Sequence, residues 1–198
     1  QYLAEKREKP FFLFYNISPP HMPLLDAPEK YLTMYSPEEV PLRPNVFHEG
    51  SFPPLDAGLE RWFKIYLWDF LFYDYKMPHT ENLPEGFDLR KLTALYYGLT
   101  TWTDDMVGRL MAALKANNLS EDTIVVFLSD HGDHLGSHGL YNKGTLFEES
   151  IRIPFIINAP GLIAPGVNHQ QVAQIVDVMP TLLDLCGMPI PAHMQGRN

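Results

Sequence analysis

Thr123-Ile-Val-Val-Phe-Leu-Ser-Asp130-His131-Gly132-Asp133-His134-Leu-Gly-Ser-His138-Gly-Leu-Tyr-Asn-Lys143-Gly144 is the stretch that decides the fold. Its first six residues are apolar and β-branched, the composition of a strand buried in a parallel sheet. The run then changes abruptly to an acid, several imidazoles, glycines and a lysine. Ionisable groups just past the carboxyl end of a buried strand occupy the usual site position of an open α/β sheet. Asp130 and His131 suit a divalent cation, and Lys143 suits an anion beside it, which points to chemistry on an anionic ester.

Working outward, strands alternate with helices. Pro10-Phe-Phe-Leu-Phe-Tyr-Asn16 is predicted as a buried strand that runs into the proline-stiffened loop Ile17-Ser-Pro-Pro-His21-Met-Pro23. A short helix is expected over 28–35, with Pro28 near its start. Leu92, Leu95, Tyr96, Leu99, Trp102, Met106, Leu110 and Leu114 recur at three- and four-residue steps, so 88–117 is predicted helical with Asp88 as N-cap. Ile153–Asn158 reads as a second strand, Gln171–Val176 as a possible third, and Asp177–Gly187 as a helix capped by Asp177. This alternation predicts a layered α/β/α fold with a largely parallel sheet. Residues 36–90, rich in prolines and then aromatics, are expected to form an irregular and helical insertion near the substrate site.

Composition bounds the function. The 198 residues are 45% hydrophobic and 13% aromatic, which fits a globular chain with a core. Lys+Arg 15 against Asp+Glu 24 gives −9, so no broad nucleic-acid face is expected, though a metal and a few cations can still hold a small anion. The single cysteine, Cys186, allows no internal disulfide and no thiolate zinc cluster, and it reads as a small buried apolar residue. No apolar run approaches the roughly 20 residues needed to span a bilayer. The opening 1–9 resembles the end of a helix, so the chain is expected to be a fragment.

Each candidate has a bland alternative. A strand-end carboxylate caps helices and a histidine satisfies carbonyls, but Gly132 allows the turn that lets Asp130 and His131 face one ion. Oxygen and imidazole donors permit calcium, manganese or zinc without choosing among them. Lys143, twelve residues beyond His131, sits in an open loop leading into a strand and can reach back to an ester oxygen. His21 follows a predicted strand and can donate to a leaving-group oxygen. His134 and His138 are expected to shape the loop or act behind the ligands, with Asp133 in the same network. Asp104 and Asp105 are read as structural hydrogen-bonding residues.

Read together, five segments in order resemble the sulfatase family of the alkaline-phosphatase-like superfamily: 9–23, Tyr96–Leu110, Thr123–Gly132, Lys143–Pro154 and Val176–Gly187. The resemblance implies that Asp130 and His131 ligate a divalent cation, usually calcium, and that Lys143 and His21 contact the sulfate as catalytic and substrate-binding residues. His138 falls in a loop that approaches substrate in relatives. It also implies a formylglycine made within a Cys/Ser-x-Pro-x-Arg motif and an upstream Asp-Asp metal pair. Neither is found here, so both are expected in a missing N-terminal part, and the chain alone is expected to be inert. The implied partner is a small-molecule or carbohydrate sulfate ester, in a periplasmic, secreted or lysosomal setting. A phosphodiesterase or phosphonate monoester hydrolase of the same superfamily, or a non-catalytic relative, are the alternatives.

Overall fold

The computed structural model describes residues 2–46, 88–140, 142–166 and 172–198. Most of the expected 36–90 insertion lies outside the described residues. Two compact units emerge: Gln1–Asn117 with His131–Arg152, and Asn118–Asp130 with Ile153–Asn198.

The first unit is organised by a long helix, here α2, spanning Leu89–Ala116, preceded by the short α1 at Glu29–Leu32. The period of its leucines predicts α2, and the Asp88 side chain caps it by accepting from the Arg90 backbone N–H at 2.9 Å. Its apolar face meets Leu24, Ala27, Tyr31 and Val46 in the main core, where Leu24, Val46 and Leu99 are almost wholly removed from water. The crossing of α1 and α2 is unusually close. A Cβ built on Gly98 would lie 2.0 Å from the Tyr31 carbonyl oxygen, so only glycine lets the two backbones meet. Tyr31 also stacks on Trp102, with centroids 6.0 Å apart, and its hydroxyl donates to Asp105 Oδ2 at 2.5 Å. Lys30 Nζ reaches the same oxygen at 3.3 Å. The Tyr31 hydroxyl, then Lys30, holds the Asp105 carboxyl below its usual range. Asp105 is thus a structural clasp between α1 and α2, the hydrogen-bonding role expected of it.

The first unit also contains the one-turn α3 at Glu148–Ile151. The second unit holds β1, Val125–Leu128, paired with β2, Phe155–Asn158, and the helix α4, Val178–Leu185. This pair, in the register Val125↔Asn158 to Leu128↔Phe155, is antiparallel and is the whole of the sheet among the described residues. The predicted parallel arrangement is therefore corrected for these two strands. An unbroken apolar run marks a strand covered on both faces but carries no information about its neighbour's direction. Nor is 11–16 a strand here. It has no regular secondary structure, and Phe12 and Phe14 are 74% and 80% exposed. Residues 172–174 have no regular structure and Ile175–Asp177 form a 3-10 turn in place of the possible third strand. The Asp177 carboxylate does not cap α4. It accepts from the backbone N–H groups of Gln174 at 2.9 Å and Arg197 at 2.8 Å, fastening the terminal segment. Those bonds, Arg197's first, hold its carboxyl below the usual range. Cys186 is exposed, at the C-terminal end of α4, rather than buried. No helix among the described residues is long and apolar enough to cross a membrane.

Replacing Gly98 with alanine should push α1 off α2 and cost about 1–3 kcal/mol. Denaturant unfolding of the Gly98→Ala protein measures this, and an unchanged midpoint would contradict the close crossing.

Candidate functional site

Two loops of the first unit bring His21 and Lys143 together. The first begins with the turn in which the His21 backbone N–H donates to Ser18 O at 2.9 Å. Cis peptide bonds at Pro19–Pro20 and Met22–Pro23 bracket the histidine. Thr103 of α2 donates to Pro19 O at 3.0 Å, and Met22 packs against the core, so the loop is fastened at both sides. His21 Nδ1 donates to Met22 O at 2.7 Å.

The second loop, 133–142, is closed at its base by one carboxylate oxygen. Asp133 Oδ1 accepts from Leu135 N at 2.9 Å and from Asn142 N at 3.1 Å. His134 N to Asn142 O at 2.9 Å and Gly136 N to Leu140 O at 2.8 Å complete the closure. Leu135, His138 and Asn142 all take left-handed φ, at 44°, 59° and 60°, an uncommon concentration for residues with a side chain. The Leu135 side chain joins the core, anchoring this strained loop. Gly132 approaches the chain at Glu149 so closely that a Cβ would lie 2.1 Å from that carbonyl oxygen.

Beyond this base stands Lys143. Its Nζ lies 3.4 Å from His21 Nε2, although 122 residues separate them. His131 belongs to the same unit, and its Nδ1 donates to Gly132 O at 2.8 Å. Burial pushes the Asp133 carboxyl up, opposed by the two backbone N–H groups and then by Lys143 and His131, so both side chains lie within electrostatic reach of it. Asp130 is exposed and ends the segment Asn118–Asp130 of the other unit, with Ser129 Oγ donating to it at 3.4 Å. Among the described residues no group of three or more His, Cys, Asp or Glu side chains is arranged to hold a metal ion.

His138 stands apart from the His21–Lys143 contact in its partners. Its ring stacks on Phe147 at 4.1 Å and 14°, and its Nε2 faces Asn45 and Glu149. Sequence reasoning missed Asn45 and Glu149, which lie in a proline-rich loop and at the start of α3. His134 is fully buried at 0% exposure, with Nε2 hydrogen-bonded to Thr145 Oγ1 at 2.8 Å. Its Nδ1 has no hydrogen-bond partner among the described residues.

Burial therefore pushes the His134 imidazole down from 6.5, and the folded protein holds it neutral. The unfolded chain takes up that proton first, so this contribution to stability is complete above about pH 6.5 and is lost as the pH falls below it. Denaturation midpoints between pH 7.5 and 5.5 should decline, with a slope of at most about 1.4 kcal/mol per pH unit from this group. His134→Gln should flatten that decline, and an unaltered slope would remove His134 as its source.

With this geometry, comparison with known proteins is informative. A sulfatase family model matches residues 1–188. The ulvan-active sulfatase of Formosa agariphila is 33% identical over 98% of this chain and 32% of its own length. The arylsulfatase of Clostridium perfringens is 33% identical over 95% of this chain and 36% of its own. Among solved structures, the phosphonate monoester hydrolase of Silicibacter pomeroyi superposes with a TM-score of 0.68 at 30% identity, covering 90% of this chain and 34% of that one. The chain thus spans about a third of the length of the curated relatives it matches. In sequence and in fold alike, it belongs to the sulfatase family.

Proposed function

We propose that this chain supplies the anion-binding and cation-binding residues of a sulfuric ester hydrolase. The observation that carries the reading is the 3.4 Å approach of His21 Nε2 and Lys143 Nζ from distant parts of the sequence. An ammonium beside an imidazole nitrogen offers several N–H donors to one tetrahedral oxyanion. Lys143 would neutralise charge gathering on a non-bridging oxygen as the ester bond breaks. His21, once protonated at Nε2, would give that proton to the departing alkoxide, while Met22 O holds the ring through Nδ1.

A divalent cation, most simply calcium, belongs to the same proposal, with manganese or zinc as alternatives. The donor chemistry fits: Asp130 provides a hard carboxylate oxygen and His131 an imidazole nitrogen. When bound, the cation would add positive charge where the ester oxygens become more negative. No Cys/Ser-x-Pro-x-Arg pattern occurs in these 198 residues, so the formylglycine nucleophile of the proposed reaction would come from elsewhere in the protein. An oxygen-rich carbohydrate or aryl sulfate is the proposed substrate class. A phosphonate monoester or phosphodiester substrate is the second reading, favoured by the likeness to the Silicibacter enzyme.

In the full-length protein, hydrolysis of 4-nitrophenyl sulfate should exceed that of phenylphosphonate and diester analogues, and the reverse order would install the second reading. Lys143→Ala and His21→Ala should each lower kcat/KM by about 10²–10³-fold, the usual effect of removing one oxyanion donor. Loss within threefold would sink the anion role. Asp130→Ala and His131→Ala should each deplete the protein of its divalent metal by elemental analysis, and full metal content in both would refute the ligand assignment.

A further inference from the structure

Lys143 stands between two fastened residues. On its N-terminal side both backbone groups of Asn142 are engaged. The N–H donates to Asp133 Oδ1 at 3.1 Å, and the carbonyl accepts from the His134 N–H at 2.9 Å. That carbonyl belongs to the planar peptide unit ending at the Lys143 Cα, so fixing it fixes the direction in which the lysine side chain leaves. On the other side the Gly144 N–H donates to Ser150 Oγ at 3.3 Å. Ser150 is buried, and its carbonyl also accepts from the Gly132 N–H at 2.8 Å, beside Asp133 itself. The bond to Asp133 from Leu135 N, two residues on, is an ordinary local turn of an aspartate. The bond from Asn142, nine residues on, is not needed for that turn. It pins a residue with a side chain in the left-handed region, at φ 60°, a conformation that relaxes unless its surroundings enforce it. Relaxation to the right-handed or extended region would swing the next peptide round and redirect Lys143.

We propose that Asp133 is a positioning residue: its Oδ1, by holding Asn142, aims the Lys143 ammonium at His21 and so assembles the anion-binding pair. This rests on the sulfate-ester reading for its effect on hydrolysis, but not for the loop geometry. What the role requires of residue 133 is an acceptor oxygen at a fixed place. Asparagine supplies one, and alanine does not. In this role Asp133 touches neither the ester nor the leaving group, and its contribution to turnover passes through Lys143.

In the full-length protein, Asp133→Ala should speed hydrogen exchange of the Leu135 and Asn142 amides about tenfold or more, while the amides of α2 keep their wild-type rates. Asp133→Asn should leave both amides protected. In steady-state hydrolysis of 4-nitrophenyl sulfate, Asp133→Ala should lower kcat/KM about tenfold or more, and Asp133→Asn should stay within about threefold of wild type. A double-mutant cycle separates aiming from general support. On the Lys143→Ala background, Asp133→Ala should cost no more than about a further threefold, because the group it aims is gone. Full additivity of the two losses would overturn the proposal. So would wild-type exchange at Asn142 in Asp133→Ala, or an asparagine variant as impaired as the alanine one. If Asp133→Ala does not fold, Asp133→Asn decides alone: protected amides with near wild-type turnover uphold the role, and loss of either overturns it. Absence of sulfate-ester hydrolysis in the wild type would defeat the proposed function, while the exchange rates still judge the hold on Asn142.

Discussion

The carboxylate of Asp133 is the constraint on which the site depends. One oxygen gathers the N–H groups of Leu135 and Asn142, closing a loop whose exit delivers Lys143 toward His21. Its burial disfavours the charge, and the surroundings answer with two backbone donors and the nearby Lys143 and His131. The loop in turn requires left-handed backbone at three positions with side chains. Such conformations persist only where the surroundings over-determine them. Here that role falls to Leu135 in the core, and to Arg43, which donates to Ser137 Oγ at 3.2 Å.

A repeated local device orients the candidate imidazoles. His21 and His131 each commit Nδ1 to the carbonyl of the following residue. The first also faces the Lys143 ammonium at 3.4 Å. His138 instead turns Nε2 toward Asn45 and Glu149. The three rings are thus oriented by neighbours one to ninety-three residues away.

Much of this was legible in the sequence, for specific reasons. The α2 period and its Asp88 cap are local signals, and the strand positions follow from short apolar runs. His21 and Lys143 stood out because they interrupt apolar or proline-rich surroundings with chemistry that needs a partner. Strand direction was not legible, because continuous apolar runs at 123–128 and 153–158 look alike in either sense. The apolar 11–15 run reads as a strand by composition, yet ladder pairing depends on a neighbour and not on the run itself. Asn45 and Glu149 were invisible for another reason. An asparagine in a proline-rich loop and a glutamate in a charged helical turn have no local peculiarity, and only folding places them on one imidazole.

The exposed rings of Phe12 and Phe14 have a consequence for handling the molecule. Uncovered aromatic side chains are adhesive in water: they lower their interfacial tension by meeting any similar surface. For these 198 residues prepared by themselves, that adhesion works against the dispersal that a charge of −9 favours. Detergent or low concentration counters it.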